Sequence, residues 1–354
     1  MAVTGDTTQV PAAVHRDPAE AAHAWWTIGP GEGEFRSESL PVPTGSEASV
    51  RTLWTGISRG TEVLVARGEV PASERDRMRA PFQGGDFPFP VKYGYLNVGR
   101  VEEGPADLTG RPVFALVPHQ SRYVVPVEAL VPVPEGVPPR RAVLAGAVET
   151  AVNVLWDVAP LVGDRVVVVG AGMIGCAIAR VARGIPGIGV TLIDVDPAKE
   201  RLARELGADF MLAPTQPQPE PEIQTQPQPE ADVVIEASGS GAGLELALRL
   251  ASTDGEVIVA SWYGSRPVPI TLGADFHSRR LTIRSSQVGA VSSRRRSTRT
   301  TRDRLGVALR LLEDPAFDLL LGGTSSWRQL PEVTAALAAG TAGELCHTID
   351  WSTA

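Results

Sequence analysis

Gly170, Gly172 and Gly175 are spaced as a G-x-G-x-x-G turn, and Asp194 follows Gly175 by 19 residues. Each glycine removes a steric obstacle. The first lets the chain turn tightly and the second lets backbone N–H groups approach a pyrophosphate. The third lets the following helix pack close to the strand, its positive end aimed at the phosphates. Met173 and Ile174 lie inside the same cofactor-binding stretch. A carboxylate at position 194 accepts hydrogen bonds from the adenosine ribose hydroxyls and repels a 2′-phosphate, which predicts NAD(H) over NADP(H). His119, in ALVPHQSRY, is a candidate acid/base because an imidazole can take or give a proton, unless it is a satisfied structural group. Cys176, just past the third glycine, is expected to pack the helix on its sheet.

Positioning these groups takes specific elements. Val166 to Val169 is an unbroken apolar run, as in a parallel strand buried on both faces, and MIGCAIARVAR and VTLID supply a helix and a second strand. Farther on, PAKERLARELGADF reads as helix then strand, and ADVVIEASG and GEVIVASWYG read as two more parallel strands joined by the crossover helix GAGLELALRLAS. Before the glycine turn the pattern is different. Short β-branched segments (AWWTIG, ASVRTLWTGIS, NVGRVEEG, RPVFALVP, RYVVPVEALVPVP) alternate with glycine and proline and predict a mainly antiparallel β domain. RAVLAGAVETAVNVLWDVAP, apolar at helical spacing and ended by Pro160, links the two regions. RLGVALRLLED predicts a late helix, and LCHTIDW a last strand rejoining the β domain.

The whole chain sets limits. Its 354 residues suit two domains. With 43% hydrophobic and 21% charged residues it is expected to be soluble, with no apolar run long enough to cross a bilayer. The start of the chain lacks the apolar core of a secretory signal, so a cytoplasmic location is expected. Two cysteines exclude a disulfide framework or a four-cysteine metal knuckle, and a net charge of −8 disfavours nucleic acid as a partner. The basic run Arg294 to Arg296 with Arg299, Arg302 and Arg304 reads as a solvated loop and helix start. Residues 1–22 read as a disordered leader, and the six-proline stretch within 214–230 as an extended surface insertion or a docking peptide.

More specific stretches are GISRGTE at 56–62, PVKYGYLNVGRVEEG at 90–104, the ETA of the linking helix, and SWYG at 261–264 followed by FHSRRLTIRSSQVG. On these the chain resembles, from about Ala24 to its end, the medium-chain dehydrogenase/reductase superfamily. Within it, the resemblance is to zinc-type alcohol dehydrogenase-like proteins of the branch that includes bacteriochlorophyllide dehydrogenase and actinobacterial homologues. It implies an α/β protein: a GroES-like, mainly antiparallel β domain at 23–150, a Rossmann domain with a doubly wound parallel sheet at 151–290, and a return to the first domain at 291–354. Zinc members hold their metal with a cysteine in a GxCGTD-like turn, a histidine in a GHE-like turn and a cysteine or glutamate opening the linking helix. Alignment by motif puts Ser58, then Tyr95 with Leu96, then Gly146 at those places. Hydroxyls and a glycine are poor Zn²⁺ ligands, so no metal is expected. A new site built from His119, Glu149 and His277 is the less favoured alternative.

The resemblance also implies roles. Tyr95 becomes the proton donor that stabilises charge on a substrate oxygen, with Ser58 and Thr61 completing a hydroxyl relay and His119 the other candidate. Thr150, Gly239, Ser285, Ser286 and Gln287 join the glycine turn in holding the cofactor, while Glu149, Asn153, Trp262, Tyr263, His277 and Arg279 are candidates to face substrate. The expected activity is zinc-independent, NAD(H)-dependent hydride transfer to or from a secondary alcohol or ketone of a specialised metabolite, such as a cyclitol, sugar, pterin or tetrapyrrole. Reduction of an activated C=C bond with NAD(P)H is one alternative, and a non-catalytic nucleotide-binding protein another. A small-molecule substrate and a homodimer are the expected partners.

Overall fold

The computed structural model describes residues 21–214 and 231–354, apart from positions 342 and 344. Residues 1–20 of the expected 1–22 leader and 215–230 of the expected 214–230 stretch lie outside the described residues, while Ala22, assigned to that leader, is buried and opens the first strand. No described helix is long and apolar enough to cross a membrane.

The β-rich first region forms two sheets. A hairpin of β1 (Ala22–Gly29) and β2 (Glu32–Glu38) joins the short β4 (Gly84–Gly85) and β5 (Val91–Lys92) in the order β2-β1-β5-β4. The larger sheet holds β3 (Glu47–Gly56), β6 (Asn97–Glu103), β7 (Pro112–Ala115) and β9 (Val131–Pro132), with β8 (Arg122–Pro126) paired to β3. Its other side is completed from the end of the chain: β17 (Cys346–Asp350) lies antiparallel to β3 and parallel to β16 (Leu321–Ser326). Of these strands, the two-residue β4 and β5 were not expected, and neither were β2 and β16. Their sequences, EGEFRSE and LGGTSS, carry no apolar alternation, and pairing with a buried neighbour decides their state.

Helices α1 (Arg59–Arg67) and α2 (Arg75–Met78) leave the turn after β3. The expected linking helix is two pieces, α3 (Pro139–Ala142) and α4 (Ala145–Val158), broken at Val143 and Leu144. The nucleotide unit then runs β10 (Arg165–Val169), α5 (Met173–Arg183), β11 (Gly189–Asp194), α6 (Lys199–Glu205) and β12 (Asp209–Leu212). It continues through β13 (Ala231–Glu236), α7 (Gly241–Leu250), β14 (Ala251–Val259), α8 (Ala274–Ser278) and β15 (Thr282–Ser285). Its six strands are parallel in the order β12-β11-β10-β13-β14-β15, the doubly wound arrangement. The chain ends in α9 (Thr301–Leu311), opened by a Thr300/Asp303 capping box, and α10 (Leu330–Ala339), which packs on α1.

One apolar cluster unites the two regions. It takes Leu96, Val98 and Phe114 from the β domain, Val148, Val152 and Leu155 from α4, and Ile178 and Leu309 from α5 and α9. Cys176 sits in it as expected, its thiol pushed up to about 12 chiefly by burial.

Burial also pushes the phenols of Tyr93, Tyr95 and Tyr123 above the usual tyrosine range. The unfolded phenols ionise near pH ~10, while the folded ones resist, so their contribution is complete below that pH and lost as pH rises beyond it. Denaturation midpoints measured from about pH 8 to about pH 11 should stay level and then fall above pH ~10. Ordinary tyrosinate titration in the folded protein would contradict this.

Candidate active site

The end of β10 places the glycine turn at the carboxyl edge of the sheet, where such folds bind ligands. Gly170 has φ +106°, and a Cβ there would lie 2.6 Å from the Ser238 nitrogen; at Gly175 it would lie 1.9 Å from the Gly170 oxygen. Gly172 faces open space, as a phosphate approach requires. Asp194 ends the adjacent β11, and its carboxylate accepts from the N–H of Ala171 at 2.7 Å and of Asp196 at 2.9 Å. The acid therefore braces the glycine turn, and its remaining lone pairs are available to ribose hydroxyls. Met173 and Ile174 open α5 directly behind.

A second group of side chains gathers in the β domain. The Tyr95 hydroxyl donates to Ser58 Oγ at 2.6 Å, and Thr61 adds a hydrogen bond to the same phenol. Hydroxyls rotate, so this pair shares one hydrogen and keeps another to give away. Beneath it lies a buried carboxylate that the sequence reading did not single out, although it stands in GISRGTE. Glu62 accepts from the Ser58 N–H at 2.7 Å and meets His119 Nε2 at 3.0 Å. His119 Nδ1 is 2.8 Å from Thr55 Oγ1, which accepts from Trp351 Nε1 at 3.0 Å. In the tautomer in which Thr55 donates to Nδ1, Nε2–H points to Glu62. Both His119 nitrogens are thus spent, and the ring supports the Ser58 turn from behind. A cavity of about 230 Å³ lies on the other flank of that turn, against Ile57, Arg59, Leu337 and His347.

Residues 170–303 match the family model described as zinc-binding dehydrogenase. Solved structures extend the likeness to the whole fold. A protein described as a short chain alcohol dehydrogenase from Escherichia coli CFT073, complexed with NADH, shares 18% identity at TM-score 0.73, over 93% of this chain and 99% of that one. A Sinorhizobium meliloti 1021 protein described as a zinc-binding dehydrogenase, bound to NADP, shares 20% identity at TM-score 0.73, over 94% and 99%. L-idonate 5-dehydrogenase from E. coli K-12 shares 15% at TM-score 0.75, over 93% and 98%. The chain has the two-part fold of medium-chain dehydrogenases/reductases, a GroES-like β domain with a Rossmann domain. Comparison with curated protein sequences gives no match.

The residues present do not suit the zinc that the family model's description implies. Ser58 and Tyr95, the first two aligned positions, do converge, but as neutral hydroxyls. At the third, Gly146, there is no side chain, and even a Cβ would lie 2.5 Å from Cδ2 of Leu96, which is 1% exposed. The space for a third ligand is filled by a leucine, so this dehydrogenase fold carries a donor set that does not fit zinc. The alternative trio does not assemble either. His119 is engaged by Glu62 and Thr55, Glu149 pairs with Arg304, and His277 lies exposed on α8.

Several expected substrate residues have other duties. Arg279 donates to the carbonyls of Leu248, Arg249 and Ala251, so it closes the end of α7 and does not reach substrate. Glu149 and Asn153 are buried against Arg304, whose guanidinium is 1% exposed, and burial raises the Glu149 carboxyl against the pull of that cation. Arg304 is therefore not part of a solvated helix start. It lies on the apolar face of α9 with Leu305, Ala308 and Leu309. Tyr263 donates to Glu236 Oε2 at 2.6 Å, and Glu236 Oε1 accepts from Ser238 and Gly239; this buried acid pins the turns after β13 and β14, with Trp262 exposed beside them. Thr150 bonds back to the Gly146 carbonyl, and Ser285, Ser286 and Gln287 leave the end of β15.

The two later glycines of the turn should separate on mutation. Gly175→Ala forces a Cβ into a backbone carbonyl and should cost about 3 kcal/mol or more of stability. Gly172→Ala should leave the melting temperature nearly unchanged and weaken NADH binding at least about tenfold, because its methyl fills the approach to the phosphates. Thermal melts with calorimetric NADH titration read both, and equal behaviour of the two variants would contradict the assignment.

Proposed function

We propose that the chain is an NAD(H)-dependent oxidoreductase acting on a ketone or secondary alcohol, in which Tyr95 and Ser58 activate the substrate oxygen in place of a metal. The observation that carries this reading is the 2.6 Å Tyr95–Ser58 hydrogen bond beside a third ligand position closed by Leu96. The family match of residues 170–303 and the NADH and NADP complexes among the structural neighbours support a nicotinamide cofactor. The L-idonate 5-dehydrogenase likeness supports alcohol or ketone chemistry over C=C reduction. The choice of NAD(H) rests on Asp194, whose charge opposes a 2′-phosphate.

When bound, the nicotinamide supplies or accepts hydride. This chain's residues manage the oxygen and the proton. Charge grows on a carbonyl oxygen as its carbon is reduced, and a preorganised O–H donor stabilises it. The Tyr95 phenol, half-buried and with its acidity lowered by burial and by the nearby Glu62 carboxylate, keeps its hydrogen across the neutral range. It is therefore a donor, and Ser58 or Thr61 can hand a hydrogen back to it. Glu62 and His119 fix the Ser58 turn on which that geometry depends.

Steady-state reduction of a panel of ketones with NADH and NADPH, by the wild type and by Tyr95→Phe, tests the reading. NADH should be preferred by about tenfold or more, and the variant should lose about a hundredfold in kcat. Unchanged turnover in Tyr95→Phe, or preference for NADPH, would contradict it.

A further inference from the structure

The strand order dictates how a dinucleotide lies. With a pyrophosphate on the turn after β10 and a ribose on Asp194 at the end of β11, the other half of the molecule must run the opposite way, over β13, β14 and β15. The segment leaving β15 borders that half. It is gripped from behind by one face of α4, where Glu149, Asn153 and Asp157 recur every fourth residue, and by α9. Ser286 Oγ donates to Asp157 Oδ2 at 2.6 Å, Asn153 Nδ2 donates to the Gln287 carbonyl at 3.4 Å, and the Ser292 N–H donates to Asn153 Oδ1 at 3.0 Å. Arg304 donates to the carbonyls of Val288 and Ala290, to Asn153 Oδ1 and to Glu149 Oε1.

These carbonyls all turn inward to the α4–α9 side. Because C=O and N–H of a trans peptide point opposite ways, fixing the Gln287 carbonyl on Asn153 turns the Val288 N–H away from α4. A buried ion pair alone does not call for this arrangement, since two apolar side chains would fill the space at no loss of stability. What an apolar pair lacks is a rigid fork of donors that holds two loop carbonyls and a helix side chain in one geometry.

We infer that Arg304, oriented by Glu149 and Asn153, is a positioning residue for the nicotinamide half of the cofactor, acting through the 286–290 backbone. The inference rests on the nicotinamide-cofactor reading above. Its test is direct binding: calorimetric titration with NADH and, separately, with ADP-ribose, which carries the adenosine and pyrophosphate but no nicotinamide. Arg304→Lys keeps the charge and loses the fork. The double variant Glu149→Met with Arg304→Met removes both charges, in case an unpaired acid prevents folding. In either variant that folds, the Kd for NADH should rise about tenfold or more while that for ADP-ribose stays within about twofold. Equal changes for both ligands, or none, would overturn the inference and leave the cofactor reading standing. A wild-type protein that binds neither would overturn both.

Discussion

The close approach of α4 to the β domain at Gly146 is the constraint on which the rest of the arrangement depends. A Cβ at Gly146 would lie 2.5 Å from Leu96 Cδ2, and the contact continues into the cluster shared by both domains. Near its start α4 meets Leu96, the chain neighbour of Tyr95, and farther along it carries the polar stripe that meets the segment after β15. One helix thus lies between the hydroxyl pair proposed to activate the substrate oxygen and the nucleotide sheet, and the same contact crowds the position aligned with a third metal ligand.

The polar half of this helix is demanding. Burying a guanidinium and a carboxylate is costly unless every donor finds a partner, and breaking such a pair usually costs about 3–5 kcal/mol. Here Glu149, Asn153 and two loop carbonyls engage Arg304. The Glu62–His119–Thr55–Trp351 chain follows the same rule in the β domain, where a buried acid is stabilised by a backbone N–H and a ring nitrogen. Both networks lie one layer behind the surfaces that would touch ligand.

Much of the framework was legible in the residues. The apolar run before Gly170, the acid that ends β11, the crossover helices and the strand at Cys346–Asp350 all carry local signals that tertiary packing agrees with. Strands β2 and β16 carry none, because their polar and glycine-rich sequences take strand form only beside a partner. The site was less legible for a related reason. A sequence shows that Arg304 is charged, while its burial depends on Glu149, 155 positions away. The usable signals were spacing: Glu149, Asn153 and Asp157 at four-residue intervals in an otherwise apolar helix, and Arg304 in step with Ala308 and Leu312. For Glu62 no comparable signal existed, and Arg279, expected to face substrate, is instead spent on the carbonyls at the end of α7.

The central claim is that hydroxyls, not a cation, activate the substrate oxygen. The most direct measurement is turnover of the purified protein after exhaustive chelation, with metal content determined on the same sample. The account predicts well under about 0.1 zinc per chain and undiminished turnover. Loss of turnover on chelation, restored by added Zn²⁺ at about one per chain, would contradict it.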